Sequence, residues 1–408
     1  MMKCIILEMW VSHSQILHFP ETGWAKRKLI VYVMPCLISS GFTEILLPLR
    51  YAVNRIECTT NKLSRNGPQM KEAYLYDSGS DKSVRCRLCY KQCHIRDGYA
   101  GFCGVRRNVD GILIAENYGV STYFVRDTIE TEGVFHYRPG CATIEIGTYG
   151  CNLHCKFCQN WKYSQANLAD PESFVRYTPE EVVDKCIEMG VDLIAWTFND
   201  PIIWYEFVID TARLAKQRGI TSLYKSSHII SLEALENLCE SVDVFSVSLK
   251  SIRGEFYREH CEGSIEPVMA ALKYLNGRAD KHLEVSNLMI PEINDSSEEI
   301  SELVEWLKAN LDETVPLHFV RYHPDYQFTI PRTPVETVMK ARSIALDMGM
   351  KHVYVGNVFS SDGLNTTCPE CGVTLIRREG QRVDFLDDLD RQGCQCRACG
   401  VSLNRLVI

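Results

Sequence analysis

The sequence predicts an α/β protein: a partial (β/α)6–7 TIM-type barrel with an N-terminal Cys4 metal-binding segment and a C-terminal zinc ribbon. Three observations carry this expectation. From Ala142 onward, short apolar runs alternate with amphipathic helical stretches, which is the pattern of a parallel sheet with crossover helices. Eleven of the nineteen cysteines fall in three tight clusters with metal-ligand spacing. Polar residues follow the apolar runs, at the C-terminal strand ends where barrel enzymes build their sites.

The strands are expected near 142–146, 193–198, 221–225, 244–249, 282–290, 316–321 and 352–356. Helices between them open on Thr178-Pro179-Glu180-Glu181, Ser296-Ser297-Glu298-Glu299 and Thr333-Pro334-Val335-Glu336. Each reads as a capping box, two with proline at the first helical position. A doubly wound sheet is the alternative, but no G-x-G-x-x-G opens the first helix. Residues 1–69 lack helical or strand periodicity and read as a non-native or disordered extension, with Met70 as the natural start. The remaining spans are the Cys4 segment at 70–140, the partial barrel at 141–360 and the ribbon at 361–408.

With 46% apolar and 24% charged residues in 408, the chain suits one large domain with appendages. Its net charge of −8 argues against broad binding to phosphate backbones, so a nucleic-acid partner is not expected. Cysteines grouped as ligands rather than spread as disulfides imply a reducing compartment, the cytoplasm. Leu29–Leu49 follows Lys26-Arg27-Lys28, but Pro35, Gly41, Glu44 and Pro48 make it a poor membrane span, and no membrane is expected.

The central cluster is Gly150-Cys151-Asn152-Leu153-His154-Cys155-Lys156-Phe157-Cys158-Gln159-Asn160-Trp161, directly after the β-branched run Thr143-Ile144-Glu145-Ile146. Three thiolates at C-x3-C-x2-C spacing can each bind one iron of a four-iron cluster, and such clusters normally take four thiolates. One iron is left open, and an open metal position marks chemistry rather than scaffolding. The Cys86, Cys89, Cys93 and Cys103 set supplies four thiolates, which suit structural zinc or an auxiliary iron–sulfur cluster, with zinc slightly preferred. His94 is a spare beside it. Cys368, Cys371, Cys396 and Cys399 form two C-x2-C knuckles, each followed by glycine, a zinc-ribbon signal, and Cys394 is one thiol too many.

From about Tyr74 to Val401 the chain resembles the radical S-adenosylmethionine (radical SAM) enzymes of the AmmeMemoRadiSam system (AmrS-like), relatives of pyruvate formate-lyase activating enzymes. The matching segments include Cys86-Arg87-Leu88-Cys89, Gly101-Phe102-Cys103-Gly104-Val105-Arg106, Gly147-Thr148-Tyr149-Gly150-Cys151-Asn152 and Cys158-Gln159-Asn160-Trp161. His318-Phe319-Val320-Arg321-Tyr322-His323-Pro324-Asp325-Tyr326 and Tyr354-Val355-Gly356-Asn357-Val358 match further on. The resemblance implies that Cys151, Cys155 and Cys158 hold a [4Fe-4S] cluster whose open iron is chelated by SAM. It implies SAM contacts from Asn199, Asp200, Ser226, Ser227, Lys250 and Asn287. Asp200 stands where relatives carry a Thr-Tyr-Asn-Glu-Pro-like glutamate. Ser226-Ser227-His228 replaces a usual Thr-Asn-Gly, and Ser248-Leu249-Lys250 replaces Asp-Leu-Lys.

The function expected from the resemblance is reductive cleavage of SAM to a 5′-deoxyadenosyl radical that abstracts hydrogen from an unidentified substrate, with a low-potential electron donor such as ferredoxin or flavodoxin. A protein substrate is one option. Arg321 and His323 are the candidates for substrate contact or proton transfer, against a buried structural hydrogen-bonding role of equal weight. The runner-up activity is activation of a glycyl-radical enzyme. A non-enzymatic iron–sulfur carrier or zinc-ribbon nucleic-acid binder stands further off, because a carrier needs neither the open iron nor seven decorated strand ends.

Overall fold

The computed structural model describes residues 71–167, 169–170, 174–358 and 362–408. The extension at 1–69, its Leu29–Leu49 stretch and Met70 lie outside the described residues. No helix among the described residues is long and apolar enough to cross a membrane.

An eight-stranded sheet organises the chain. Its members are β1 (Tyr123–Thr128), β2 (Ala142–Gly147), β3 (Leu193–Trp196), β4 (Thr221–Ser226), β5 (Val244–Ser248), β6 (His282–Met289), β7 (Leu317–Arg321) and β8 (Val353–Gly356). Spatial order follows chain order from β1 to β8. All pairs from β2 onward are parallel, and β1 pairs antiparallel with β2 from Tyr123↔Gly147 to Thr128↔Ala142. The seven expected strands are present to within two residues at most ends. β1 was not anticipated, because its sequence, Tyr-Phe-Val-Arg-Asp-Thr, lies in the span read as the metal-binding segment.

The longer helices are α1 (Pro179–Glu188), α2 (Tyr205–Gln217), α3 (Leu232–Cys239), α4 (Glu266–Asn276), α5 (Ser297–Asn310) and α6 (Val335–Asp347). Thr178 caps α1 with a complete capping box: its side chain accepts from Glu181 N–H, and the Glu181 carboxylate accepts from Thr178 N–H. Ser296 caps α5 by accepting from Glu299 N–H at 3.1 Å, but the Glu299 side chain turns away to Ser251. The third box does not form. Thr333 is fully buried, donates its hydroxyl to Met289 O at 2.6 Å and accepts from Tyr322 N–H, and Pro334 precedes α6 without a side-chain cap. The hydroxyl that local spacing offered to the helix is taken by two neighbouring strand ends, a tertiary override of a local signal.

The sheet's two faces are covered differently. Ile144, Ile146, Ile194, Trp196, Tyr224, Phe245 and Phe319 belong to the large core shared with the helices. Leu193, Ala195, Leu223 and Val244 pack instead on Ile129 and Val134, in the segment before β2. That segment closes the end of the sheet where the strands begin. Glu284 of β6, fully buried, accepts from the Phe135 and His136 backbone N–H groups (2.9 and 2.7 Å) and meets the rings of His282 (2.9 Å) and His318 (2.7 Å). Burial alone would raise the Glu284 pKa, but its bonds to His282 and His318 hold it well below the usual carboxylate range. Arg378, from the C-terminal unit, adds a bond to Phe135 O at 2.7 Å and lies 4.3 Å over the Phe135 ring.

Glu145, at the middle of β2, is buried beside Glu132 and accepts from Thr131 Oγ1 at 2.5 Å. Burial, then the nearby Glu132 charge, pushes the Glu145 carboxyl up to about 9 from the ordinary 4.5. The folded state therefore favours the protonated form. Its contribution to stability is full below pH 4.5 and is lost as pH rises through about 9. We expect Glu145→Gln, which keeps the shape and cannot ionise, to lose less melting temperature than the native chain between pH 5 and pH 9. Parallel melting curves across that range would disprove the assignment.

Candidate active site at the strand ends

The cysteine loop leaves the end of β2. A Cβ on Gly147 would stand 2.6 Å from Thr197 O, so only glycine lets the turn lie this close to the end of β3. Asn199 holds the turn from both sides, accepting from Thr148 N–H at 3.2 Å and donating to Gly150 O at 2.6 Å. Cys151 and Cys155 are buried and Cys158 is half-buried. Backbone bonds pin the loop from outside: His154 N–H to Cys261 O (3.0 Å), Lys156 N–H to His260 O (2.9 Å) and Gln327 N–H to Lys156 O (2.9 Å). Trp161 donates to Asp325 at 3.0 Å and stacks on Tyr326, so the segment after β7 is fastened to the same loop.

Asp200 sits one residue beyond Asn199 and joins β3 to β4. Its carboxylate accepts from Ser226 Oγ at 2.7 Å and Ser227 N–H at 3.0 Å, and caps the short helix Pro201–Trp204 through Ile202 N–H at 3.3 Å. Burial pushes its pKa up, while the bonds from Ser226, Ser227 and Ile202 pull it down. His228 takes φ +53, the left-handed region that favours glycine, and its ring Nδ1 lies 3.0 Å from Ser226 O. A Thr-Asn-Gly segment would meet that backbone demand with its last residue. Here histidine does so, one of the few side-chain-bearing residues enriched in that region.

Lys250 follows β5. Burial alone would lower its pKa, but the Cys155 and Cys261 sulfurs outweigh burial and raise it. Asn287 donates to Leu249 O at 2.9 Å and Lys250 O at 3.3 Å, fixing the Lys250 backbone. Arg321 spends its guanidinium on Thr333 O (2.8 Å) and Asn357 O (3.4 Å), while Asn357 donates back to Arg321 O. His323 lies at the rim, its Nε2 3.2 Å from Gln159 Oε1, next to Cys158. The structure thus brings Asp200, Ser226 and Ser227 into direct contact, sets Asn199 against the turn of the cysteine loop, ties Asn287 to Lys250, and sets Arg321 and His323 to one side.

One thiol near the loop was not singled out from sequence. Cys261, fully buried at the end of a π-helical turn (Tyr257–Cys261), makes a sulfur contact with Cys155. That contact, then burial, raises the Cys155 thiol, while burial, then the Asp200 charge, raises Cys151. Burial pushes Cys158 up to about 11. Buried thiols of this kind ionise when a cation takes up the charge, as metal coordination does. No spacing signal could reveal Cys261, which lies over a hundred positions from the loop.

The family model for the radical SAM superfamily matches residues 146–307. An uncharacterized protein of Methanocaldococcus jannaschii, MJ0808, is 35% identical over 336 residues, covering 82% of this chain and 99% of that protein. The chain belongs to the radical SAM superfamily. A putative glycyl-radical enzyme activating enzyme of the same organism, MJ1632, is 24% identical over 53% of this chain and 80% of that protein. A domain of pyruvate-formate lyase-activating enzyme from Bacteroides vulgatus is 18% identical over 40% of this chain and 98% of that chain, with a TM-score of 0.35.

Radical SAM proteins are enzymes, and membership implies a [4Fe-4S] cluster and SAM. The residues present fit such a group. Three thiols, two buried and one half-buried, share one loop. Among the described residues, a tighter set is formed by Cys368, Cys371, Cys396 and Cys399, whose sulfurs all lie within 4.8 Å of one another.

That C-terminal set repeats one local geometry. Gly372 and Gly400 take φ +73 and +78, and their N–H groups donate to Cys368 O and Cys396 O at 3.0 and 2.7 Å. The facing sulfurs stand 3.5 Å (Cys368 and Cys399) and 3.7 Å (Cys371 and Cys396) apart. Cys394 is outside this group, its thiol 3.9 Å from Arg391 O. His94 is exposed on the strand His94–Ile95, which pairs with Val84–Cys86.

Asp200 is the hinge of this site, and Asp200→Ala removes a helix cap and two links to β4. We expect a loss of about 1–3 kcal/mol in unfolding free energy, read by denaturant titration of the metal-free chain. A loss under about 0.5 kcal/mol would show that the Asp200 contacts are incidental.

Proposed function

We propose that this radical SAM protein reductively cleaves SAM and uses the resulting radical to abstract hydrogen from a substrate. The observation that carries this is the placement of the Cys151, Cys155 and Cys158 thiols at the end of β2, beside the polar ends of β3, β4 and β5. A [4Fe-4S] cluster bound there supplies the electron that splits SAM into methionine and a 5′-deoxyadenosyl radical. The chain's own residues do the rest. Asp200, fixed by Ser226 and Ser227, offers a carboxylate edge to an ammonium group next to Cys151. Lys250 supplies a positive charge near Cys155, and Asn199 holds the loop in place. Phe157, buried among Phe256 and Phe328, keeps water from the loop. A low-potential protein such as ferredoxin or flavodoxin is the proposed electron donor.

Sequential strand order with helices against one face, and the 129–136 segment against the other, supports a partial barrel open between β1 and β8. Similarity to the putative glycyl-radical enzyme activating enzyme MJ1632 favours a protein substrate as the second reading.

Anaerobically reconstituted protein given dithionite and SAM is expected to form 5′-deoxyadenosine, measured by chromatography. Cys155→Ala should abolish both the product and the iron at this site. Product formation by Cys155→Ala would remove that thiol from the ligand set. Asp200→Ala should weaken SAM binding roughly ten- to a hundredfold with iron content intact, the loss of one charge-assisted hydrogen bond. Unchanged affinity in anaerobic calorimetry would mean that other groups hold the ammonium.

We also propose that Cys368, Cys371, Cys396 and Cys399 bind zinc as a ribbon. Tetrahedral zinc with bonds of about 2.3 Å brings its sulfurs to roughly 3.8 Å of one another, near the separations seen here. Cys368 and Cys396 also belong to a small core with Leu375, Ile376, Leu389, Leu403 and Leu406, so the metal would staple the unit's own interior. Cys371→Ser should lower zinc by about one ion per chain and open the 366–408 region to proteolysis. Full zinc content in that variant would exclude the ribbon as its site.

A further inference from the structure

We propose that Cys261 completes a set of three hydrogen-bond donors, one to each thiolate of the Cys151–Cys158 loop, and that its S–H raises the reduction potential of the cluster held there. The inference rests on the cluster reading of that loop. Two of the three thiols find their donors close by in the chain. Leu153 N–H donates to the Cys151 sulfur at 3.4 Å. The Cys158 sulfur faces Ser164 Oγ at 3.3 Å, and Gln165 Nε2 donates to that oxygen at 3.1 Å, which leaves the Ser164 proton for the sulfur. Cys155 is served differently. Among the described residues no backbone N–H donates to its sulfur, and the contact it makes is with the Cys261 thiol.

Packing fixes that thiol in place. Cys261 is fully buried and closes the π-helical turn Tyr257–Cys261, a widened turn of a kind that recurs at functional sites. The backbone on both sides of Cys155 is tied to this turn, with His154 N–H donating to Cys261 O at 3.0 Å and Lys156 N–H to His260 O at 2.9 Å. Just past the turn, a Cβ on Gly263 would stand 2.7 Å from Leu153 Cδ2, so the chain there lies directly against the loop. Once Cys155 binds iron it carries no proton. Cys261, a free thiol, then supplies the S–H and the ligand sulfur accepts.

The consequence is electrostatic. Reduction adds one electron to a cluster, and part of that negative charge falls on the ligand sulfurs. A hydrogen bond to a ligand sulfur stabilises the reduced state more than the oxidised one and so raises the potential. The buried Lys250 ammonium lies near both sulfurs and acts in the same direction. Because the pair is shut away from water, the weak S–H donor counts for more than it would at the surface. Cys261 acts through Cys155 and is therefore a positioning residue: it sets how readily a low-potential donor can load the cluster.

The test is an anaerobic redox titration of the reconstituted native chain and of Cys261→Ala, followed on the paramagnetic signal that Cys155→Ala abolishes. Cys261→Ala should keep its iron and titrate at a lower potential. At the native midpoint its ratio of reduced to oxidised cluster should fall roughly three- to tenfold, a tenfold fall being about 59 mV for a one-electron couple. Cys261→Ser, which restores a donor, should recover at least half of that shift. A fall below about twofold with full iron would overturn the proposal. So would a shift that serine does not reduce, since that marks a packing effect, and so would loss of iron from folded Cys261→Ala, which would make Cys261 a ligand. Should Cys261→Ala fail to fold by circular dichroism, Cys261→Val, which fills the site without a donor, takes its place under the same criteria. A native chain that holds no iron at the loop overturns this inference and the SAM-cleavage reading together, whereas an unshifted potential with full iron overturns this one alone.

Discussion

The consecutive pair Asn199 and Asp200 governs where everything else in the site can stand. The first amide clamps the turn from Gly147 to Gly150 through one donated and one accepted bond, and so sets where Cys151 begins. The second residue's carboxylate reaches sideways to Ser226 and Ser227, so the end of β4 is held relative to the same turn. Both side chains are buried, where such bonds are hard to exchange for water and leave costly orphans if broken. A thiol loop in this position inherits its geometry from a neighbouring strand rather than from its own sequence.

The sheet separates two roles along its length. Its beginning is sealed by the segment before β2, with Glu284 accepting backbone donors and histidine rings and Arg378 closing over Phe135. Its end is polar and decorated, and there the cysteine loop, Asp200 and Lys250 converge. Stability and the candidate site thus sit at opposite ends, the division that parallel βα architectures favour. Glu145 lies between them, a buried carboxyl near a second one, and it links the stability of the fold to pH.

Most of the fold was legible because its signals are short-ranged. Runs such as Leu193-Ile194-Ala195-Trp196 announce a strand buried on both faces, and the Thr178 box announces a helix start through atoms three residues apart. The spacing of Cys151, Cys155 and Cys158 is similarly local. Thr333 shows the limit: its spacing is that of a cap, yet Met289 and Tyr322 compete for its hydroxyl and win. The edge strand Tyr123–Thr128 was hidden for a related reason, since half-exposed residues with mixed polarity declare a strand only when a partner stands beside them.

The sequence by itself determined the element order, the three cysteine sets and the strand ends that carry polar groups, because periodicity and ligand spacing act over a few bonds. Only the tertiary structure decided what depends on approach across the chain: that Asp200 meets Ser226 and Ser227, that Arg321 is occupied by backbone carbonyls, and that Cys261 touches Cys155. It also set how closely the C-terminal thiols approach, 3.5 Å between Cys368 and Cys399 and 3.7 Å between Cys371 and Cys396. C-x2-C spacing places two sulfurs in reach of a metal, but the distance between the two halves of a site is fixed by the packing of the segments that carry them.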